Sequence, residues 1–314
     1  MNKSYTKSCK VCHSILIKKD GFKYGRQRYK CKSCGHVFQN KSRNITSLNK
    51  QAKELWDKYS YGKQTYAELA WEQSTSVRNI QKILDTYDFI PPQVPPRKIV
   101  LIMDTTYFWD IGVMAFRCSK MKKVIHYKLV KNESNKIYRK GVQELQEQWW
   151  EIEAIVCDWK KWLLSSFSKI PTQMCQFHQV AILRRYITKK PKLEANKDLK
   201  LLWELLSQTD RETFEYELER YYQKHYIFLQ EKRMNHEWKY QYIHKRTRSA
   251  YFSLKRNLKY LFTWYDYLWA LDIPNTSNAL EWVFGHLKGK VSLHRGLKRE
   301  RKIKLILSLL YWKY

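Results

Sequence analysis

Two cysteine pairs set the tightest constraint on how this chain folds. Cys9-Lys-Val-Cys12 and Cys31-Lys-Ser-Cys34 stand 18 residues apart, the spacing of a four-thiolate zinc site. The segment between them has few core formers, so bound Zn²⁺ would supply most of its folding energy. Four protein ligands leave no open coordination position, which makes such a zinc structural and not catalytic. Gly35 follows Cys34 where a zinc knuckle needs left-handed backbone, and Phe38 is placed to cover the sulfurs. Cys118, Cys157 and Cys175 lack that pairing and read as small core residues.

Charge decides the partner class. Sixty lysines and arginines oppose 29 acids, giving a formal charge of +31 and a pI near 9.8, an excess that attracts polyanions. Nucleic acid leads; a ribosome-bound protein or one resting on acidic membrane shares the composition. The basic excess is strongest at both ends: residues 1–50 hold Asp20 as their one acid, and Arg295 to Lys304 is interrupted by Glu300 alone. A content of 44% hydrophobic residues, with 13 Trp and 23 Tyr, excludes a disordered basic arm. No apolar run of about 18 residues occurs, and no apolar signal region precedes Cys9. The expectation is therefore a cytoplasmic chain without a membrane partner.

Composition and periodicity divide the chain into five segments: 1–45, 46–90, 91–180, 181–273 and 274–314. The first is the cysteine-paired ribbon. In the second, Asn49 to Tyr59, Thr65 to Glu72 and Thr75 to Leu84 are helical patterns, with Thr65 and Thr75 where N-caps belong. Such a module is either a plain three-helix bundle or a helix-turn-helix. In the latter case its last helix would expose Arg78, Asn79, Gln81 and Lys82 to DNA, with Val77, Ile80 and Leu84 inward. Pro91, Pro92, Pro95 and Pro96 form a stiff boundary.

Beyond the prolines, KIVLIMDTTYF, VMAFRC and VIHYKLV read as a strand meander, turning through Asp110-Ile-Gly112. A helix from Asn135 to Glu151 follows, with Val142, Leu145 and Trp149 on its apolar stripe, and then IEAIVCD as a fourth strand. This is an α/β layer pattern. Ala181 to Ala270, nearly free of glycine, reads as helical.

Asp104 follows an apolar run inside the first strand, and Asp158 ends the fourth. Aspartate is depleted from strand interiors, so a charge among Val, Leu and Ile calls for a metal or a partner; two solvent-facing strand ends are the alternative. Phosphoryl transfer with two Mg²⁺ or Mn²⁺ ions needs carboxylates converging from separate elements. A third acid, Glu281, stands in the first turns of a helix that Thr276, Ser277 or Asn278 can cap, where it also suits the helix dipole. Asp110 is the fallback acid within the same sheet.

IMDTTYF, VCDWKKWL, the CQFH of Cys175 to His178, TSNALEWVFGHLKGK and HRGLKRER together resemble the Mutator-type insertion-sequence transposases, and YKCKSCGHVF resembles their zinc-ribbon variant. The resemblance implies an RNase H-like catalytic domain with an all-α insertion, behind a zinc ribbon and a helix-turn-helix module. Its Asp-Asp-Glu triad would be Asp104, Asp158 and Glu281, binding magnesium, and the 123 residues from Asp158 to Glu281 suit the insertion. Cys175 and His178 would support the active site or position DNA, or be simply a packed Cys and a capping His. The implied partners are an element's terminal inverted repeats and target DNA, bound by a homodimer in the nucleoid of a prokaryotic-type cell.

Arg246 to Trp269 mixes basic and aromatic residues. Helix core explains such a stripe better than base stacking, with Trp264 the candidate for stacking. Arg295, Lys298, Arg299, Arg301 and Lys302 are dense charge suited to phosphates. Two rival functions remain open: a ribbon and helix-turn-helix regulator without catalysis, and an RNase H-like nuclease or resolvase sharing the acids.

Overall fold

The computed structural model describes residues 8–9, 11–23, 26–39, 45–158, 160–294 and 296–312. They fall into two compact units, 1–88 and 89–314. No helix among the described residues is long and apolar enough to cross a membrane.

In the first unit, β1 (Ile17–Lys23), β2 (Arg26–Cys31) and β3 (Val37–Gln39) form an antiparallel sheet. Its small core is Cys9, Cys31 and Phe38, with Ile17 and Tyr29 against it. Gly35 sits at φ +70, and its N–H closes the knuckle onto the Cys31 carbonyl at 3.0 Å. Helices α1 (Ile45–Ser60), α2 (Tyr66–Glu72) and α3 (Val77–Asp85) follow. Thr65 and Glu68 form a reciprocal capping box on α2. The cap of α3 is Ser76, one residue later than expected; its Oγ accepts from the Asn79 N–H at 3.2 Å. The helix therefore starts a residue late, which turns Val77 outward at 40% exposure while Ile80 and Leu84 are buried.

The second unit centres on β4 (Lys98–Phe108), β5 (Ile111–Cys118), β6 (Lys123–Val130), β7 (Glu151–Cys157) and β8 (Thr172–Met174), in sheet order β6-β5-β4-β7-β8. The first three pair antiparallel; β7 lies parallel to β4, and β8 parallel to β7. The chain is thus a mixed α/β protein with a mixed five-stranded sheet. The β4–β5 turn is Trp109-Asp110, earlier than expected, and Gly112 already pairs with Tyr107.

Helix α4 (Asn135–Glu147) crosses from β6 to β7, burying Tyr138, Val142 and Leu145. Gly141 lets it approach the sheet: a Cβ there would lie 2.1 Å from Cζ of the buried Phe116. The helix ends before Trp149, which is 85% exposed at φ 68, so the adjacent Trp150 fills the core position expected of it.

Then come α5 (Lys161–Leu164), α6 (Gln176–Tyr186), α7 (Glu194–Leu205), α8 (Arg211–Lys224) and α9 (Tyr226–Gln230). The glycine-poor segment is not wholly helical. Residues β9 (Lys232–Met234) and β10 (Tyr240–Tyr242) make a hairpin before α10 (Lys245–Leu261), α11 (Thr263–Asp266), α12 (Asn278–Leu293) and α13 (Arg299–Leu310). One core runs from Leu101, Met103 and Phe116 of the sheet to Leu199, Phe214, Tyr251 and Leu258 of the helices. Tyr251, Leu254 and Leu261 of the basic-aromatic stripe are fully buried, so its first half is core, whereas Leu268 and Trp269 at its end are exposed. Trp264 is partly buried, with its Nε1 inside the fold.

Candidate functional site: a carboxylate cluster and a thiol cluster

Parallel register brings the acids together. Ile102 pairs with Val156, and Cys157 with Met174. Continuing the register, two residues beyond the first pair and one beyond the second, places Asp104, Asp158 and Cys175 in one row across three neighbouring strands, at the end where β7 and β8 stop. Residues level in parallel strands project toward the same face, and β4 continues past the row because β5 still pairs with it to Phe108.

Glu281 reaches this row from the far end of the sequence by way of buried hydrogen bonds. The Gln176 N–H donates to the Asn275 carbonyl (3.0 Å), the Asn275 side-chain amide to Gln176 Oε1 (3.1 Å), and the Ser277 N–H to Cys175 Sγ (3.2 Å). These three contacts fix the start of α12 against the start of α6. Ser277 is its N-cap, yet its hydroxyl donates to Glu281 Oε1 at 3.1 Å instead of capping the backbone. Glu281 is thereby held in the helix's first turn, facing the sheet end.

His178, in the first turn of α6, joins the acids. Its Nδ1 lies 3.6 Å from Asp158 Oδ1 and 3.6 Å from Glu281 Oε1, buried and within hydrogen-bond range of neither. Burial disfavours the imidazolium, but the Cys175 thiol and then the charges of Asp158, Cys175 and Asp104 outweigh it, pushing the His178 pKa up to about 9. In the metal-free protein this imidazolium is the cation shared by the carboxylates. Asp104 is pushed up to about 7, chiefly by burial, with smaller contributions from Asp158 and Glu281; the Thr105 N–H on its Oδ1 (2.8 Å) and the charge of His178 oppose the rise.

Asp158 and Glu281 flank the buried His178 ring nitrogen, and Asp104, kept partly protonated by burial, is near enough for its charge to couple to all three; oxygen donors of this kind suit a hard divalent cation. Cys175 Sγ, a His178 ring nitrogen and a Glu281 oxygen also lie within 4.8 Å of one another, which adds softer donors on one side.

A polar chain missed by the sequence reading backs the site. Thr105 Oγ1 and the Tyr138 hydroxyl are 2.8 Å apart, that hydroxyl donates to Glu133 Oε1 at 2.8 Å, and Glu133 is ion-paired with Lys160. Tyr138 was detectable, because it lies one turn before Val142 on the apolar stripe of α4. Glu133 and Lys160 carry no local signal. Asp110 is no alternative ligand: it lies six residues beyond Asp104, about 20 Å along an extended strand, and is ion-paired with Arg299.

In the first unit, Cys9, Cys12, Cys31 and Cys34 converge, with Cys9 and Cys34 sulfurs 3.5 Å apart and Cys12 and Cys31 likewise. That is far beyond a disulfide bond and close to the separation of roughly 3.8 Å that a tetrahedron with Zn–S near 2.3 Å requires. Backbone N–H groups of the knuckles stabilise thiolate. Those of Cys12 and Val11 lower the Cys9 pKa, and that of Cys34 leads the shift of Cys31 to about 6. The Cys34 thiol also has a backbone donor, from His36, yet its Cys12, Cys9 and Cys31 neighbours and burial push it up to about 12. Four thiolates cannot coexist there without a cation, and the cluster could hold zinc.

Arg78, Asn79 and Lys82 are exposed on α3, with the Asn79 amide donating to Thr75 Oγ1 (2.9 Å). Lys298, Arg299 and Lys302 are at least partly exposed at the start of α13, where Lys302 lies over the Trp109 ring at 4.3 Å. Arg301 shares that helix, and Arg295 lies outside the described residues. No protein-family model matches the chain, and no curated protein matches it.

Proposed function

We propose that the protein is a DNA transposase of the Mutator-type insertion-sequence group, cutting and joining DNA strands at the carboxylate cluster. The observation that carries this reading is the convergence of Asp104, Asp158 and Glu281 from β4, the end of β7 and α12, three elements far apart in sequence. A sheet of three antiparallel strands extended by two parallel ones, with one acid inside its first strand and another just past the end of its fourth in chain order, supports an RNase H-like assignment. A regulator without catalysis has no use for three mutually repelling carboxylates, one of them half-buried in a strand.

Asp104, Asp158 and Glu281 would hold the divalent cations, which when bound polarise phosphate and make water or a 3′-hydroxyl a better nucleophile. Ser277 orients Glu281 by its hydrogen bond. Cys175 accepts the N–H that fixes the entry to α12. His178 offsets the charge of the acids, and where a cation was held by them it would no longer be needed in its protonated form. The cysteine module and the three-helix module, which we read as a zinc ribbon and a helix-turn-helix, bind the element's inverted repeats through Arg78 and Lys82. The charge of α13 faces phosphate, and two protomers hold two ends.

The test is cleavage of candidate element-end DNA with Mg²⁺ by the unaltered protein and by Asp104→Ala, Asp158→Ala and Glu281→Ala. Loss of cleavage by about 10³-fold or more in each variant, with DNA binding retained, is the expected result, on the scale of removing one preorganised transition-state contact. Full activity of Asp104→Ala would overturn the reading. Binding without Mg²⁺-dependent cleavage by the unaltered protein would favour the regulator.

A further inference from the structure

A cationic groove of about 860 Å³ opens where α6 ends and α10 begins. Lys189, Lys190, Lys192, Lys245 and Arg246 line it, and no Asp or Glu is among its lining residues. Lys189, Lys190 and Lys192 are exposed and make no ion pair with any described residue. Arg246 is fixed by donating to the Arg185 and Tyr186 carbonyls at 2.7 and 2.9 Å. The carboxylates nearby are already engaged: Glu231 with His244, and Glu194 with Lys224. The first turn of α10 adds Lys245, Arg246 and Arg248 where its own dipole is positive, an arrangement that destabilises the free protein. A polyanion in the groove would relieve all of this repulsion at once.

The β9–β10 hairpin runs into the same groove through Ile243 and His244. It is rigid at its base, where the Arg248 guanidinium lies 3.9 Å over Tyr242 and 4.6 Å over Phe252. It is ordered at its tip, where Asn235 Oδ1 accepts from the Glu237 and Lys239 N–H groups at 3.0 and 2.8 Å. That tip holds Trp238 at φ 57 and 83% exposed. Left-handed backbone at a bulky residue costs on the order of 1–3 kcal/mol, and no packing within the fold repays it. Trp71, Trp149 and Trp269 are equally exposed, but none of them stands on a braced hairpin leading into a cationic groove.

We propose that this groove and hairpin form a second DNA contact. Phosphates of one strand would lie along Lys189, Lys190, Lys192 and Lys245, and an unpaired base would stack on Trp238. Helix α6 sets the spacing: His178 is at its acid-site end and Tyr186 at its groove end, eight residues or about 12 Å away. A strand with its reactive phosphate at the carboxylates would reach the groove within a few nucleotides. The choice of DNA as the polyanion rests on the transposase reading.

The experiment measures binding of the full-length, zinc-loaded protein, without added Mg²⁺, to a blunt duplex and to the same duplex with a short single-stranded extension, across a salt series. In the Lys189→Glu/Lys190→Glu/Lys192→Glu variant, the slope of log affinity against log salt should fall by about 2–3, with a melting temperature no lower than the parent's. The corresponding triple arginine variant should keep the slope. Trp238→Ala should leave blunt-duplex affinity intact and cost the extended duplex about 5- to 150-fold, the value of one stacked base. An unchanged slope in the glutamate variant would overturn the groove, and an unchanged preference for the extension in Trp238→Ala would overturn the stacking. If the unaltered protein fails to cut DNA while both effects persist, the transposase reading falls and this one stands.

Discussion

The thiol cluster of the first unit and the carboxylates of the second pose the same electrostatic problem, like charges gathered at one site, and answer it in opposite ways. The thiols come from two tight knuckles, each carrying its own backbone donors, and together they complete a tetrahedron. The carboxylates come from β4, the end of β7 and α12, with His178 on α6, and no single turn gathers them. A locally gathered set of ligands builds a fold; a dispersed set is built by a fold. The first cluster should therefore depend on its metal for structure, and the second should weaken the protein that holds it.

The sharpest way to break this comparison is to remove the metal from the thiols. Chelation, or Cys31→Ser, should abolish order in residues 8–39, since structural zinc contributes on the order of 10–16 kcal/mol in comparable small modules. Limited proteolysis should then cut within that segment while residues 89–314 stay resistant. Equal protection with and without chelator would mean that the Cys9, Cys31 and Phe38 core stands unaided.

At the acids the expected sign is reversed. The folded-state pKa of Asp104, raised to about 7 mainly by burial, means that its ionised form costs stability. The cost is absent below pH 4, grows as pH rises through 7, and is full above it. Asp104→Asn should therefore raise the metal-free melting temperature at pH 8 more than at pH 5, while removing the proposed cleavage activity. A variant less stable than the parent at pH 8 would show that the carboxylate is a structural partner.

How far each cluster could be read from sequence follows the same division. The thiol site was legible because all its information is local: a CxxC spacing, Gly35 at its left-handed turn and Phe38 over the sulfurs. Asp104 was legible as a charge inside an apolar strand. Nothing local joins Glu281 to it; the link is made by the Asn275–Gln176 and Ser277–Cys175 hydrogen bonds, which exist only once β8 and α12 meet. The buried Gln173 and Gln176, whose amides donate to the Leu261 carbonyl at 3.0 and 2.9 Å, were invisible for the same reason. The β9–β10 hairpin was lost because a scarcity of glycine reads as helix, while its turn is made by Asn235 and a left-handed Trp238.

Packing behind the acids offers a smaller effect. Gly141→Ala should gain helix propensity of about 1 kcal/mol yet lose more, because the new methyl must displace the buried Phe116 ring. A net loss of roughly 1–2 kcal/mol is expected from overpacking, measured by urea denaturation. Phe116→Leu should recover part of it in the double variant. A stabilised Gly141→Ala would mean that α4 can retreat from the sheet without cost.

The finest distinction lies in how protons compete with the cation. Zinc at the thiols would displace protons while completing a fold, whereas a cation at the acids would displace them from groups already in place. Asp104, near 7, and His178, near 9, are the two groups concerned. As pH falls from 9 to 7, only His178 gains a proton that the cation must expel, so Mn²⁺ affinity should fall about tenfold per pH unit, 1.4 kcal/mol each. Below 7 Asp104 protonates as well, and the dependence should steepen toward two protons per ion. His178→Gln should flatten the upper limb and leave the lower one, a difference that Mn²⁺ titration at pH 6, 7, 8 and 9 resolves. If affinity is independent of pH across that range, the cation binds away from these residues, and the likeness between the two clusters ends at their geometry.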